Sequence, residues 1–160
     1  LNIFVLDRDT KLCAQYHNDK HTVKMILETT QLLNNALIKN VPGYDPVYRK
    51  THFNHPCSIW TSKNITNFKW LLSLGIELCH EYSFRYDKIH KCEAHIRRFS
   101  EMELGAFPDD DGDIKFVQCM PDEYKKDDPV EGYRAYYLGN KAHIASWKRR
   151  DPPFWWVGGI

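Results

Sequence analysis

The sequence predicts an all-α protein: about four helices in a single domain over residues 1–160, with a short extended N-terminal arm and an aromatic C-terminal tail. Three observations carry this. Apolar residues recur at helical spacing over long stretches. Helix-stopping residues fall where those stretches end, as in Val41-Pro42-Gly43. A chain of 160 residues, 42% hydrophobic and 14% aromatic, is long and apolar enough to bury one real core.

The elements follow in order. Asn2 to Asp7 is apolar and extended, a short strand or a buried arm. Asp9 or Thr10 is a suitable N-cap for a first helix from about Lys11 to Lys39. Residues 43–56 form a loop rich in Tyr, Pro and His. A second long helix spans about Ser58 to Tyr86, with Trp60, Phe68, Leu71, Leu72, Leu78 and Tyr82 mostly at helical spacings. Gly75 inside it costs ~1 kcal/mol relative to Ala, which points to a close helix contact. A basic amphipathic third helix covers about Asp87 to Glu103. The run Phe107 to Asp113 is a loop; it resembles the start of a calcium loop but lacks the later ligands. Residues 114–128 are irregular, with a short strand at Ile114 to Val117 as one option. A fourth helix runs from about Pro129 to Ser146 and leads into Lys148-Arg149-Arg150. The tail from Pro152 to Ile160 carries Phe154, Trp155 and Trp156 and should pack on the body.

Composition excludes several classes. No apolar run approaches the ~18–20 residues of a membrane span, and the N-terminal stretch lacks the basic start of a signal peptide. The five cysteines are an odd number and form no C-x-x-C, so no zinc ribbon or thioredoxin-like motif is present. The expectation is a reduced cytoplasmic monomer needing no cofactor and no metal. The net charge of +1 conceals a segregation. Residues 101–131 hold eleven acids against three lysines, leaving a basic body that can face a polyanion.

The first predicted helix carries the candidate chemistry. His17, His21, Lys24, Glu28, Gln31 and Asn35 alternate steps of four and three, and at 100° per residue they share an arc of about 80°. Two imidazoles, an amine, a carboxylate and two amides on an otherwise apolar helix suit a cleft lining or a buried network. Three chemistries remain open. His17 and His21 can bind a metal, joined by Glu28 or by the Glu77-x-x-His80 pair of the second helix, for an enzyme acting on nucleotides or nucleic acid. Glu28 can act as a general base beside an orienting histidine. Lys24, or the chain's α-amine, can form a Schiff base beside Glu28. A non-enzymatic DNA- or protein-binding role, with a purely structural stripe, is the remaining option.

Three blocks in the same order resemble the phage pyrimidine-dimer DNA glycosylases of the endonuclease V type. They are Asp19-Lys20-His21 with Glu28 seven residues after His21; Asn54-His55-Pro56 followed by the helix containing Gly75-Ile76-Glu77-Leu78-Cys79-His80-Glu81; and Tyr133-Arg134-Ala135-Tyr136-Tyr137-Leu138-Gly139-Asn140-Lys141-Ala142. The resemblance implies a small all-α enzyme with glycosylase and AP-lyase activities on a damaged or modified base in double-stranded DNA. The α-amine of Leu1 would attack the sugar, Glu28 would stabilise the ring-opened form and move protons, and His21 would orient Glu28 or touch DNA. Leu27 and Gln31 stand where arginines are expected, and the segment before His21 is longer than in that family, so Lys20 or Lys24 is a substitute nucleophile. Substrate contacts are expected from His17, Lys20, Gln31, His55, Arg85, Arg134 and Lys141, and phosphate contacts from Arg97, Arg98, Lys148, Arg149 and Arg150. Trp155 and Trp156 are tail anchors or stacking platforms for a base.

Overall fold

The computed structural model describes residues 1–157; the last three residues of the expected tail, 158–160, lie outside the described residues. The architecture is all-α, with no strand among the described residues, so the option of a strand at Ile114 to Val117 gives way to irregular chain. Among the described residues, six α-helices replace the four expected: α1 (Thr10–Tyr16), α2 (Asp19–Asn40), α3 (Pro56–Lys63), α4 (Ile65–Tyr86), α5 (Glu93–Ser100) and α6 (Pro129–Asn140). Short 3-10 turns at Asp122–Tyr124 and Ala142–Ile144 flank α6.

Asparagines account for the two extra helices. The expected first helix breaks at His17, which leaves α1 in an extended conformation, and at Asn18, whose side chain accepts from the His21 N–H and caps α2. Asn64 divides the second in the same way, turning extended and capping α4 through the Asn67 N–H. Asparagine caps bind orphan N–H groups that helix continuation would otherwise bond. Asp9 is the cap of α1. The third helix is shorter than expected because Asp87 ends α4 in the left-handed region, at φ 54°, and His90 Nδ1 then accepts from the Cys92 N–H, delaying α5 to Glu93. The fourth stops at Asn140, short of Ser146.

Helix α4 is the central element, packing on α1, α2, α3 and α5. At Gly75 an added Cβ would lie 3.1 Å from Thr29 Cγ2 of α2 and 3.3 Å from Ile96 Cδ1 of α5, the close approach that glycine in a helix suggested. The acidic segment is no detached loop. Phe107, Phe116 and Met120 are buried, Trp60 Nε1 donates to the Lys115 carbonyl, and Phe116 stacks against Trp60. Trp155 packs edge-on to Tyr16 and Tyr137, and Trp156 on Trp147, so the described part of the tail is anchored. None of the described helices is long and apolar enough to cross a membrane.

The α1–α2 break exposes carbonyls inside the protein, and Arg85 satisfies them. Its guanidinium is fully buried and donates to the carbonyls of Gln15 and His17, to Asp19 and to Glu81. Arg85 therefore joins α4 to the break and does not contact a substrate, which corrects the expectation from sequence. Removing it leaves Glu81 with Arg150 as its one guanidinium partner and takes a charged donor from the Gln15 and His17 carbonyls in the core. Arg85→Ala is expected to lower unfolding stability by about 3–5 kcal/mol in urea titrations. A loss under 1 kcal/mol would show that the guanidinium does not hold this junction.

Candidate functional site

The arm enters the core as extended chain. Ile3, Phe4, Val5 and Leu6 are buried, and because no strand pairs with them, side chains must satisfy the backbone. Cys13 Sγ donates to the Phe4 carbonyl, and Arg134 donates to the Leu6 carbonyl and to Asp7. At the head of the arm, Asn2 Nδ2 donates to the Cys119 carbonyl at 2.8 Å while its Oδ1 accepts from the Ile3 N–H. The Tyr133 hydroxyl of α6 lies 3.1 Å from that Oδ1 and accepts from the Cys119 N–H. Leu1 is thereby set against α2, its α-amine 3.6 Å from Glu28 Oε1. Lys24, one turn earlier, brings Nζ to 3.8 Å from Glu28 Oε2. The carboxylate is 13% exposed and so sits between two amines at the edge of the core.

A third wall comes from α3. His55 caps this helix, its Nδ1 accepting from the Cys57 N–H. Burial lowers its pKa, and the positive charge of the α-amine adds to that, while Glu28 opposes it. The Cys57 thiol donates to Cys119 Sγ at 3.5 Å. That hydrogen bond lowers the Cys119 pKa to about 7 and raises that of Cys57.

The predicted stripe divides. Lys24, Glu28, His55 and the Leu1 amine share the site. His17 and His21 belong to the core beside it. His17 Nδ1 donates to the Cys13 carbonyl, and His21 Nδ1 shares a hydrogen bond with the Tyr137 hydroxyl at 2.7 Å while stacking on Phe4. Asn35 is likewise internal, bonded to the Thr51 carbonyl and Ser58. Gln31 is half-buried one turn beyond Glu28, and Lys20 is exposed on the first turn of α2. The metal set proposed from sequence is not gathered: His17 and His21 face the core, whereas Glu77 and His80 line a separate cleft of about 300 Å³ with Lys11 and Arg150.

The basic residues differ in availability. Arg134 is spent on the arm and also lies over the rings of Tyr16, Phe154 and Trp155. Arg150 is paired with buried Glu81, and Arg149 with Asp87. Arg97 pairs with Glu93 at the surface, and Arg98 is exposed beside Tyr44. Lys148 is exposed over Tyr86, and Lys141 lies over Tyr136.

Four residues that shape the site were not singled out from sequence for it: Asn2, Cys57, Cys119 and Tyr133. Only His55-Pro56-Cys57 offers a local signal, and Tyr133 falls within the resembling block. Comparisons with known protein families, curated proteins and solved structures found no match.

Burial lowers the pKa of His17 to about 4 and of His21 to about 3, against 6.5 for a free imidazole. Between about pH 4 and pH 6.5 the unfolded chain binds both protons and the native protein neither, so stability is full above this window and falls as pH drops through it. The slope reaches at most about 2.7 kcal/mol per pH unit near pH 5. Urea midpoints at pH 7 and pH 5 measure this, and equal midpoints would contradict two neutral buried imidazoles.

Proposed function

We propose that this protein is a DNA glycosylase with AP-lyase activity, acting on a damaged or modified base through amine chemistry assisted by Glu28. The observation that carries the reading is the amine–carboxylate contact: Glu28 lies 3.6 Å from the Leu1 α-amine and 3.8 Å from Lys24 Nζ, on the wall of the site. The resemblance to the phage pyrimidine-dimer glycosylases predicts this pairing.

The chemistry follows from the pairing. A neutral amine attacks the anomeric carbon, the C–N bond to the base breaks, and the base departs with a proton. The ring opens to an imine, which acidifies the adjacent carbon; Glu28 takes that proton, and the 3′ phosphate leaves. Hydrolysis of the imine regenerates the amine. The proposal is for a chain whose free α-amine is carried by residue 1; Lys24 supplies the amine where that position is blocked. His55 forms the opposite wall and is kept neutral, suited to orienting substrate and not to pairing with phosphate. The exposed cations Lys20, Arg97, Arg98 and Lys148 are available for phosphates, and nucleotide flipping is cheapest at damaged pairs.

Strand cleavage of duplex DNA carrying an abasic site tests the assignment. Glu28→Gln is expected to lower the cleavage rate about 10²–10⁴-fold, the range for a positioned acid–base group, with DNA affinity changed only a few-fold. Cleavage by Glu28→Gln within a few-fold of the parent would overturn it, and DNA binding without cleavage by the parent would favour a non-enzymatic role.

A further inference from the structure

His55, Cys57 and Cys119 form the one group of three metal-ligating side chains gathered among the described residues, with one ligand atom of each within 4.8 Å of the others. They come from elements far apart in sequence: the cap and first turn of α3, and the irregular segment before α6. We propose that these three side chains form a binding site for zinc, which clamps the segment around Cys119 onto α3 beside the arm.

The donor set is that of zinc: two sulfurs and an imidazole, soft and borderline ligands with no hard oxygen among them. The spacing is close to a loaded site. Two thiolates at about 2.3 Å from one tetrahedral zinc lie about 3.8 Å apart, and Cys57 Sγ and Cys119 Sγ are 3.5 Å apart. A neutral imidazole has a single nitrogen lone pair, which here accepts from the Cys57 N–H; ligation takes over that lone pair and exchanges one cap bond for a metal bond. Zinc binding displaces the remaining thiol proton or protons to solvent, so affinity rises with pH. Three protein ligands leave a fourth position for water or another small ligand.

Cys119 gives the clamp a structural purpose. Its carbonyl accepts from Asn2 and its N–H donates to Tyr133, so fixing Cys119 on α3 fixes the head of the arm. The site is independent of the glycosylase reading, because metal binding is measured without DNA.

Cobalt(II) titration of the reduced, full-length chain is the test. One equivalent of cobalt is expected to bind with the near-ultraviolet thiolate charge-transfer band and the visible bands of tetrahedral cobalt, and one equivalent of zinc should displace it. Cys57→Ser and Cys119→Ser should each weaken binding at least tenfold. Should those variants fail to fold, alkylation of the parent chain decides: zinc is expected to slow modification of Cys119 at least tenfold. No stoichiometric cobalt, cobalt without thiolate bands, binding unchanged in folded cysteine variants, or unchanged alkylation with zinc each overturns the site. A Cys57–Cys119 disulfide in the isolated protein, with no metal bound after reduction, overturns it too.

Discussion

The rest of the structure depends on a buried stretch of extended chain. Residues 3–6 run through the core without a partner strand, so each backbone polar group there must find a specific side-chain or backbone partner or remain unsatisfied at a cost of about 1–3 kcal/mol. Those partners are dispersed: Cys13 on α1, Arg134 on α6 and, at the head, Asn2 reaching the Cys119 segment. The arm therefore ties α1, α6 and the segment around Cys119 together. Its position also sets that of residue 1, because little freedom is left once Ile3 is buried and Asn2 is bonded at both ends of its amide. The contact between the Leu1 amine and Glu28 is a consequence of core packing.

Charge divides along the same line between structure and surface. Three arginines expected from the sequence to meet substrate (Arg85, Arg134) or phosphate (Arg150) are committed to the fold: Arg85 at the α1–α2 break, Arg150 on buried Glu81, and Arg134 on the arm. Buried Glu81 receives two guanidiniums, which offsets the desolvation of its carboxylate. What remains for a polyanion is a smaller set of exposed lysines and arginines on α2, α5 and the segment after α6. The acidic segment, anchored by Phe107, Phe116 and Met120, is held against α3 and α4, a fixed negative region and not a free tail.

Helix content was legible from periodicity, and so were boundaries that follow strong rules, such as the Asp9 cap before α1 and the start of α6 at Pro129. The divisions at Asn18 and Asn64 were not, because the apolar pattern continues across each break while one asparagine side chain redirects the backbone. At the site, Glu28 and Lys24 were legible because both lie on one helix face. His17 and His21 share that spacing, yet the break turns His17 off the helix, and Phe4 and Tyr137 cover His21. No local pattern could bring Cys119 to Cys57, since 62 residues and two helices separate them and only tertiary packing closes the gap.

The central claim is that the buried arm delivers an amine to Glu28 for chemistry on a sugar. Borohydride reduction during reaction with abasic duplex DNA, followed by peptide mapping of the adduct, tests it most directly. The account predicts a single adduct on residue 1, or on Lys24 when the α-amine is blocked. An adduct on a lysine remote from Glu28, such as Lys141, or no adduct from folded, DNA-bound protein, would contradict it.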